Sequence, residues 1–379
     1  MPIALVLALS AALFVPMKGA RIVMTLFAVD LGAGPLETGL LFALHGLFPF
    51  LFSVVAGRVA DRIDNRVLMY WGLAGYALVL TLPFFVPRLY VLFVTAALAG
   101  LATMLFVVAT QNLVGVLSTP ESRTRNYSYY SLGESSGNVA GPVLVGISID
   151  TLSHPLTFAL LAAYVVACGA VLAVKRESIP AAARPAAAAE RRSMKDLLAL
   201  PAMRSALLTN GVVMAGLDLF NLYMPVYGRD IGLSATVIGI IIGCFGTATF
   251  VTRLFIPWFT GRYGERAMLF WALALAALAF FTFPLTHSPW LLAAGAFALG
   301  LGLGCGQPLS TVLAFNAAPP GRSAEGISMR LMVSYAAHVV IPPVFGALGA
   351  GLGVAPIFWA SGVLLSGGSV LNRRRAPPR

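Results

Sequence analysis

The chain has 379 residues, 59% of them hydrophobic and only 10% charged, with a formal net charge of +11. Soluble domains carry about 25% charged residues, so a mean hydropathy of +0.88 excludes a water-soluble globular protein. The basic excess lies mostly in short breaks between apolar runs, with no soluble basic domain to hold it, which argues against a nucleic-acid partner and for loop charge that sets membrane topology.

A bilayer span needs about 20 apolar residues. Runs bounded by charge, Pro or Gly give six spans at 3–29, 36–56, 67–86, 89–117, 122–149 and 155–174. Six more follow at 203–228, 234–259, 267–286, 289–317, 323–350 and 353–371. Residues 1–20 have an apolar stretch like a leader peptide but no basic n-region, and they align with a later span, so they read as a retained transmembrane helix. The break at 175–202, rich in Ala, Pro and Arg, reads as a flexible inter-half linker. The expected organisation is an N-terminal six-helix bundle (1–174), this cytoplasmic linker, and a C-terminal six-helix bundle with a short basic tail (203–379). The fold class expected is an all-α membrane protein of twelve transmembrane helices in two parallel, pseudo-repeated bundles. Cys168, Cys244 and Cys305 lie inside apolar spans without metal-like spacing, so no metal site and no disulfide framework is expected.

Lys and Arg crowd the breaks after the even-numbered spans, the linker and the C-terminal tail, whereas the opposite side has only Arg88 and Arg229. By the positive-inside rule both termini are expected in the cytoplasm, with the chain in a bacterial inner membrane. An even number of spans per half makes the halves repeat in parallel about an axis along the membrane normal.

The duplication is visible at an offset of 200 residues. Asp30, Gly32 and Gly39 fall on Asp230, Gly232 and Gly239; Arg62, Arg66 and Trp71 fall on Arg262, Arg266 and Trp271; Gly100, Pro142 and Gly146 fall on Gly300, Pro342 and Gly346. One offset held over so long a stretch marks a repeated structural unit.

The break after span 2 reads Gly57-Arg-Val-Ala-Asp61-Arg62-Ile-Asp64-Asn65-Arg66. This resembles the signature loop of the major facilitator superfamily, and the second copy, Gly261-Arg262-Tyr263-Gly264-Glu265-Arg266, keeps part of it with glycine in place of the aspartate. In that family the loop latches the halves and governs alternation, and the resemblance implies the family's twelve-helix fold. Span 5 reads Gly133-xxx-Gly137-xxx-Gly141-Pro142-xx-Val145-Gly146, similar to a pattern frequent among the family's antiporters, with Val145 in place of its penultimate glycine. It also reads as ordinary small-residue packing. The arginine that proton-coupled drug exporters often carry in span 4 is absent: Ala96 stands four residues before Gly100.

Ionisable residues at membrane depth are candidates for function. Lys18 on span 1 matches Asp218 on span 7, each about 15 residues, or roughly 22 Å, along its helix. Opposite charges at equal depth suggest a gate or coupling pair between the halves; a fixed structural pair is the alternative. Arg21 matches Asn221 and, with Lys18, suits an anionic substrate or snorkels to the surface. Asp218 and Glu134 are the proton-carrier candidates, and His45 and His338 are possible relays. Arg253 is assigned to the gate with the signature loops; Arg330 is open between gate and site. Gln111, Asn112, Asn210, Asn221, Tyr223, Gln307, Tyr335 and His338 complete an expected substrate cavity, beside a span 10 (Gly300-Leu-Gly302-Leu-Gly304-Cys-Gly306-Gln307) pliable enough to bend.

No nucleotide-binding loop and no Ser/His/Asp cluster at one depth is present, so no enzymatic activity and no cofactor is expected, and the energy source is a proton gradient. The leading reading is a monomeric secondary transporter, embedded in lipid, that exports a small amphipathic compound in exchange for protons. An importer or exchanger of a small organic anion is the alternative, and a non-transporting sensor on the same fold comes third.

Overall fold

The computed structural model describes residues 2–60, 63–175, 195–319 and 323–373; all their regular secondary structure is helical. In the first half α1 (Pro2–Asp30), α2 (Pro35–Ala60), α3 (Asn65–Phe85), α4 (Leu89–Leu117), α5 (Pro120–Thr151) and α6 (His154–Val174) form the six expected spans. A short α7 (Lys195–Ala199) precedes the second set: α8 (Pro201–Asp230), α9 (Ala235–Tyr263), α10 (Glu265–Thr282), α11 (Pro289–Leu303), α12 (Gly306–Ala317), α13 (Ser323–Leu352) and α14 (Ala355–Leu371). Span 10 is therefore two helices, broken at Gly304 and Cys305, as its glycine content permits.

Local chemistry sets the ends. Gly32 and Gly232, at φ of 90° and 82°, make the same tight turn after α1 and α8, a conformation open to glycine at little cost. Asp64 caps α3 by accepting from the Arg66 amide at 2.9 Å, and Thr119 and Ser122 form a capping box on α5. In the second copy of the signature, Gly264 replaces Asp64 and takes φ of 79°, so a backbone reversal does there what a side-chain cap does in the first copy. Asp61 and Arg62 lie outside the described residues, as do residues 176–194 of the linker. Residues 195–199, read from sequence as part of that flexible linker, instead form α7, because Leu197 is fully buried under the second half.

Among the described residues ten helices, counting α11 and α12 as one continuous span, are long and apolar enough to cross a bilayer. Among the others, α14 has 17 residues, and α5 is polar along its first half. That polarity is tolerated because α5 is sandwiched between α1 and α9 instead of facing lipid. The lipid-facing surface shows the complementary pattern: Trp71, Trp271 and Trp290 are among its most exposed side chains, as expected of aromatic anchors near the membrane–water boundary.

The repeat seen in the sequence is a repeat of packing. In the first half α1 packs on α5, α2 on α4, and α3 on α4 and α6; in the second α8 packs on α13, α9 on α11, and α10 on α11 and α14. The halves meet through two matched seams, α5 with α9 and α2 with α13. Glycines set both. A Cβ on Gly39 would fall 2.5 Å from the Pro342 carbonyl oxygen, and one on Gly239 would strike the Pro142 carbonyl. Gly46 faces His338 and Gly246 faces Asn138; Gly346 faces Pro35 and Gly146 faces Ala235. By contrast Gly133, Gly137 and Gly141 face Ala11, Phe14 and Val15 of α1, inside the first bundle. The span 5 glycine pattern is thus mostly a packing face within one bundle, and only Pro142 and Gly146 reach the other.

A Gly246→Leu replacement should force the α5–α9 seam apart, since even a Cβ would lie 2.7 Å from the Asn138 carbonyl oxygen. The expected cost is ~1–3 kcal/mol, read as a lower melting temperature of the purified protein. An unchanged melting temperature would show that the bundles do not approach as closely as described.

Candidate functional site

The seams keep the halves in contact at the end carrying the α1–α2 and α8–α9 turns. Polar locks reinforce that end. Arg229 donates to both carboxylate oxygens of Asp30, at 2.7 and 2.6 Å, across the two bundles. His154, stacked on Phe27, stands 3.5 Å from the same carboxylate. Asp150, at the end of α5, accepts from the amides of Ala235 and Thr236 at 3.1 and 2.7 Å and so caps α9 from the other bundle. The Tyr223 hydroxyl donates to the carbonyls of Pro35 and Pro342 at 3.3 and 2.8 Å, pinning α8 against α2 and α13.

Between this seal and the signature-loop end lies a cavity of about 310 Å³ walled by α1, α2, α4, α5, α8, α9, α11, α12 and α13. Helices α3, α6, α10 and α14 contribute nothing to its lining. Of the residues singled out from sequence, Lys18, Arg21, His45, Gln111, Glu134, Pro142, Asp218, Asn221, Arg253, Gln307, Tyr335 and His338 line it.

Three expected cavity residues stand elsewhere. Asn112 reaches Asn65 on α3 at 3.3 Å. Asn210 joins α8 to α12 and α13: it donates to Ser334 at 2.9 Å and accepts from Ser310 and Arg330 at 3.1 and 3.0 Å. Arg330 is thereby tied into a packed polar knot of the second bundle, apart from the cavity lining. Tyr223 belongs to the seal. A helix presents all its faces in sequence, and these three polar groups satisfied themselves against neighbouring helices instead of the cavity.

The charge pairing also differs from the sequence expectation. Lys18 donates to Glu134 at 3.0 Å, and Asp218 lies 2.6 Å from His338 Nδ1. Lys18 and Asp218 do occupy matched positions, but each finds its partner inside its own bundle, α1 with α5 and α8 with α13. The physical reason is proximity: those helices pack directly on one another, so the within-bundle partner needs no bridging across the cavity. The Asp218 side chain is only 5% exposed, against 34% for Glu134, so the second pair is the more shielded from water.

Arg21 lies over the Phe42 ring, 5.2 Å from its centroid, and makes no salt bridge among the described residues. Arg253 crosses to the other bundle and donates to Ser135 Oγ at 2.8 Å and to the Ser131 carbonyl at 3.4 Å. Its Nε and the Nδ1 of His45 are buried with no hydrogen-bond partner among the described residues. The sequence did not single out the apolar wall: Phe14, Met17, Phe42, Met104, Met214 and Phe245 alternate with these charges. Their spacing looks like any apolar helix, so no sequence signal separated them from lipid-facing neighbours.

The remaining signature residues are outside the cavity. Arg66 pairs with Asp64 at 2.8 Å, Arg262 lies over Tyr263, Arg266 reaches Ser205 at 3.5 Å, and Gly261 faces open space. Gly57 falls within α2. Among the described residues no cluster of His, Cys, Asp and Glu is arranged to hold a metal ion.

Comparison with known proteins places this geometry. The family profile described as the Major Facilitator Superfamily matches residues 3–234 and 206–379. An uncharacterized MFS-type transporter of Bacillus subtilis (strain 168), YfiS, is 25% identical over 204 residues, 52% of this chain and 49% of that protein, so the match spans about half that relative's length. The multidrug resistance protein MdtG of Enterobacter lignolyticus (strain SCF1) is 23% identical over 289 residues, covering 74% of this chain and 68% of that protein. The class C tetracycline resistance protein of Escherichia coli is 26% identical over 264 residues, covering 67% and 65%. Among solved structures, a mutant of the nucleoside transporter NupG superimposes with a TM-score of 0.83 over 99% of this chain and 100% of that one, at 16% identity.

Removing the α9 cap with Asp150→Ala should cost ~1 kcal/mol of the closed seal. The distance between spin labels on the exposed Leu152 and Leu285 should then gain a longer component, which Arg229→Gln should enlarge. A distribution unmoved by both changes would show that these locks do not hold the seal.

Proposed function

Because the chain belongs to the major facilitator superfamily and is a multi-pass membrane transporter, we propose that it exports a small amphipathic compound in exchange for protons by alternating access. The observation that carries this reading is the pair of carboxylates in the cavity wall, each already engaged: Asp218 with His338 and Glu134 with Lys18. Each pair lies within one bundle, so rigid rocking of the halves does not break it. Only a proton or a charged cargo entering the cavity does. A proton taken by the Asp218–His338 pair cancels the carboxylate charge, and one taken by Glu134 frees Lys18. Either event changes the field in the cavity at a depth where charge is costly, and so couples protonation to cargo binding.

The lysines and arginines of the signature loops, linker and tail support a cytoplasmic position for that end. On this orientation the seal faces the periplasm of a bacterial inner membrane and the cavity is reached from the cytoplasm, the state in which an exporter loads. The names of MdtG and the class C tetracycline protein, which confer resistance, support the outward direction. The cavity volume lies at the small end of the range for drug-sized ligands. A second reading, uptake or exchange of a small organic anion, is favoured by one observation: Arg21 and Arg253 line the cavity without a salt bridge among the described residues.

Everted vesicles carrying the protein, with an imposed pH gradient, test the coupling. Among amphipathic compounds of both charge signs, at least one should dissipate the gradient, and Asp218→Asn should abolish the response while Glu134→Gln weakens it. A cargo-driven proton flux that survives both substitutions would remove the assigned carriers.

A further inference from the structure

We infer that the cavity's cargo is an organic anion, a carboxylate or comparable oxyanion on an apolar, aromatic-sized body, with Arg21 as the residue that seats its charge. The inference rests on the reading that this cavity carries cargo, and it adds the sign and chemistry of what is carried.

Three basic side chains, Lys18, Arg21 and Arg253, share the lining with two carboxylates, Glu134 and Asp218. The carboxylates are not idle. Glu134 is held by Lys18 at 3.0 Å and Asp218 by His338 at 2.6 Å. Each bond occupies the nearest counter-charge that a cationic cargo would need, and displacing Glu134 leaves Lys18 facing a like charge. The arginines are placed differently. Arg253 spends one nitrogen on Ser135 and Ser131 and keeps a buried Nε without a partner. Arg21 has the face of Phe42 beneath its guanidinium and feels Asp218 and Glu134 through space, with no salt bridge to either among the described residues.

A guanidinium stacked on a ring keeps its in-plane N–H fork free, and that fork matches a carboxylate in a bidentate arrangement. Cation–π contact and the more distant charges of Asp218 and Glu134 offset only part of the cost of holding a charge in a low-dielectric wall, so an anion hydrogen-bonded to the fork supplies what the protein leaves out. His45 lines the same cavity, and its buried Nδ1 has no partner among the described residues, giving a further polar group on the helix that carries Phe42. Met17, Met104, Met214, Phe14, Phe245 and Leu303 line the same cavity, an apolar and deformable surface suited to an aromatic body. The duplication sharpens the argument. The counterpart of Arg21 is Asn221 and that of His45 is Phe245, so the Arg21–His45 group has no equivalent in the second bundle. A cargo with its anionic end on Arg21 and its apolar end against Met214, Phe245 and Leu303 of the second bundle would bridge the two halves, which is what is needed to draw the bundles together.

Direct binding tests this without requiring proton movement. The purified protein in nanodiscs is titrated with a panel of aromatic monocarboxylates, among them 1-naphthylacetate, each matched by its neutral amide and its amine. Carboxylates should bind at least about tenfold more tightly than their amides, the loss expected when one charge-assisted pair is removed, and the amines should bind worst. Arg21→Gln should erase the preference, whereas Arg21→Lys, which keeps the charge but loses the fork and the stack, should keep part of it; melting temperatures of both variants report that they fold. Amines or amides that bind as tightly as carboxylates, a preference unmoved in Arg21→Gln, or binding by no carboxylate in the panel would each overturn the inference. Arg21-dependent carboxylate binding without proton flux would instead sink only the coupling, and proton flux driven by amines would sink only the anion.

Discussion

The close approach of backbone to backbone along the α2–α13 and α5–α9 seams is the constraint on which the rest of this structure depends. Lipid tails are as apolar as leucine, so membrane helices gain little from hiding apolar surface and associate through packing and interhelical hydrogen bonds. At Gly39, Gly239, Gly246, Gly146 and Gly346 the nearest atoms of the facing helix are backbone, which cannot yield as the end of a flexible side chain can. These contacts hold the two bundles in register at one end. The Asp30–Arg229 bond, the Asp150 cap and the Tyr223 hydroxyl sit on that register and lock it with polar groups. The cavity opens beside these contacts, with Gly46 and Phe245 in its lining, and Arg253 still joins α9 to Ser135 of α5 there.

A seal built this way suits a protein that must open it. The Asp30–Arg229 and Asp150 locks lie at helix ends near the membrane surface, where water can replace a lost hydrogen bond at small cost. Its glycine contacts rely on shape, and shape contacts are lost together when two rigid bundles rotate. The buried charges follow the opposite logic. Lys18 with Glu134 and Asp218 with His338 stay within their bundles, so rotation carries them along intact. Charges at this depth are therefore switched by what enters the cavity, and the moving seams are relieved of breaking a buried ion pair, which would cost several kcal/mol.

The duplication explains the frame and fails, usefully, to explain the chemistry. Glycines that set the seams recur at the same offset in both halves, and so do the positive-φ turns at Gly32 and Gly232. Cavity side chains do not recur: Lys18 faces Asp218 in the repeat, Glu134 matches Ser334, and Arg253 matches Ser53. Both copies had to keep the packing, because one failed seam unseals the pair. Only one copy of each polar group was needed at a shared central cavity, so the two halves were free to diverge there.

The sequence by itself determined the number and limits of the spans, the repeat and the depth of each charge, because hydropathy, helical breaks and the rise per residue act along a single chain. Lys18, Glu134, Asp218 and Arg21 were legible as membrane-depth charges for that reason. Tertiary structure decided their partners. Lys18 chose Glu134 over Asp218 because α1 lies against α5, and Asn112, Asn210 and Tyr223 turned away from the cavity because another helix offered an acceptor or donor nearer by. It also decided which glycines seal the bundles and which merely pack within one, since Gly137 and Gly246 look alike until the helix opposite is known. Spacing along one helix fixes depth and angle, but whom a side chain meets depends on the crossing of two helices, and that crossing is set by contacts distant in the chain.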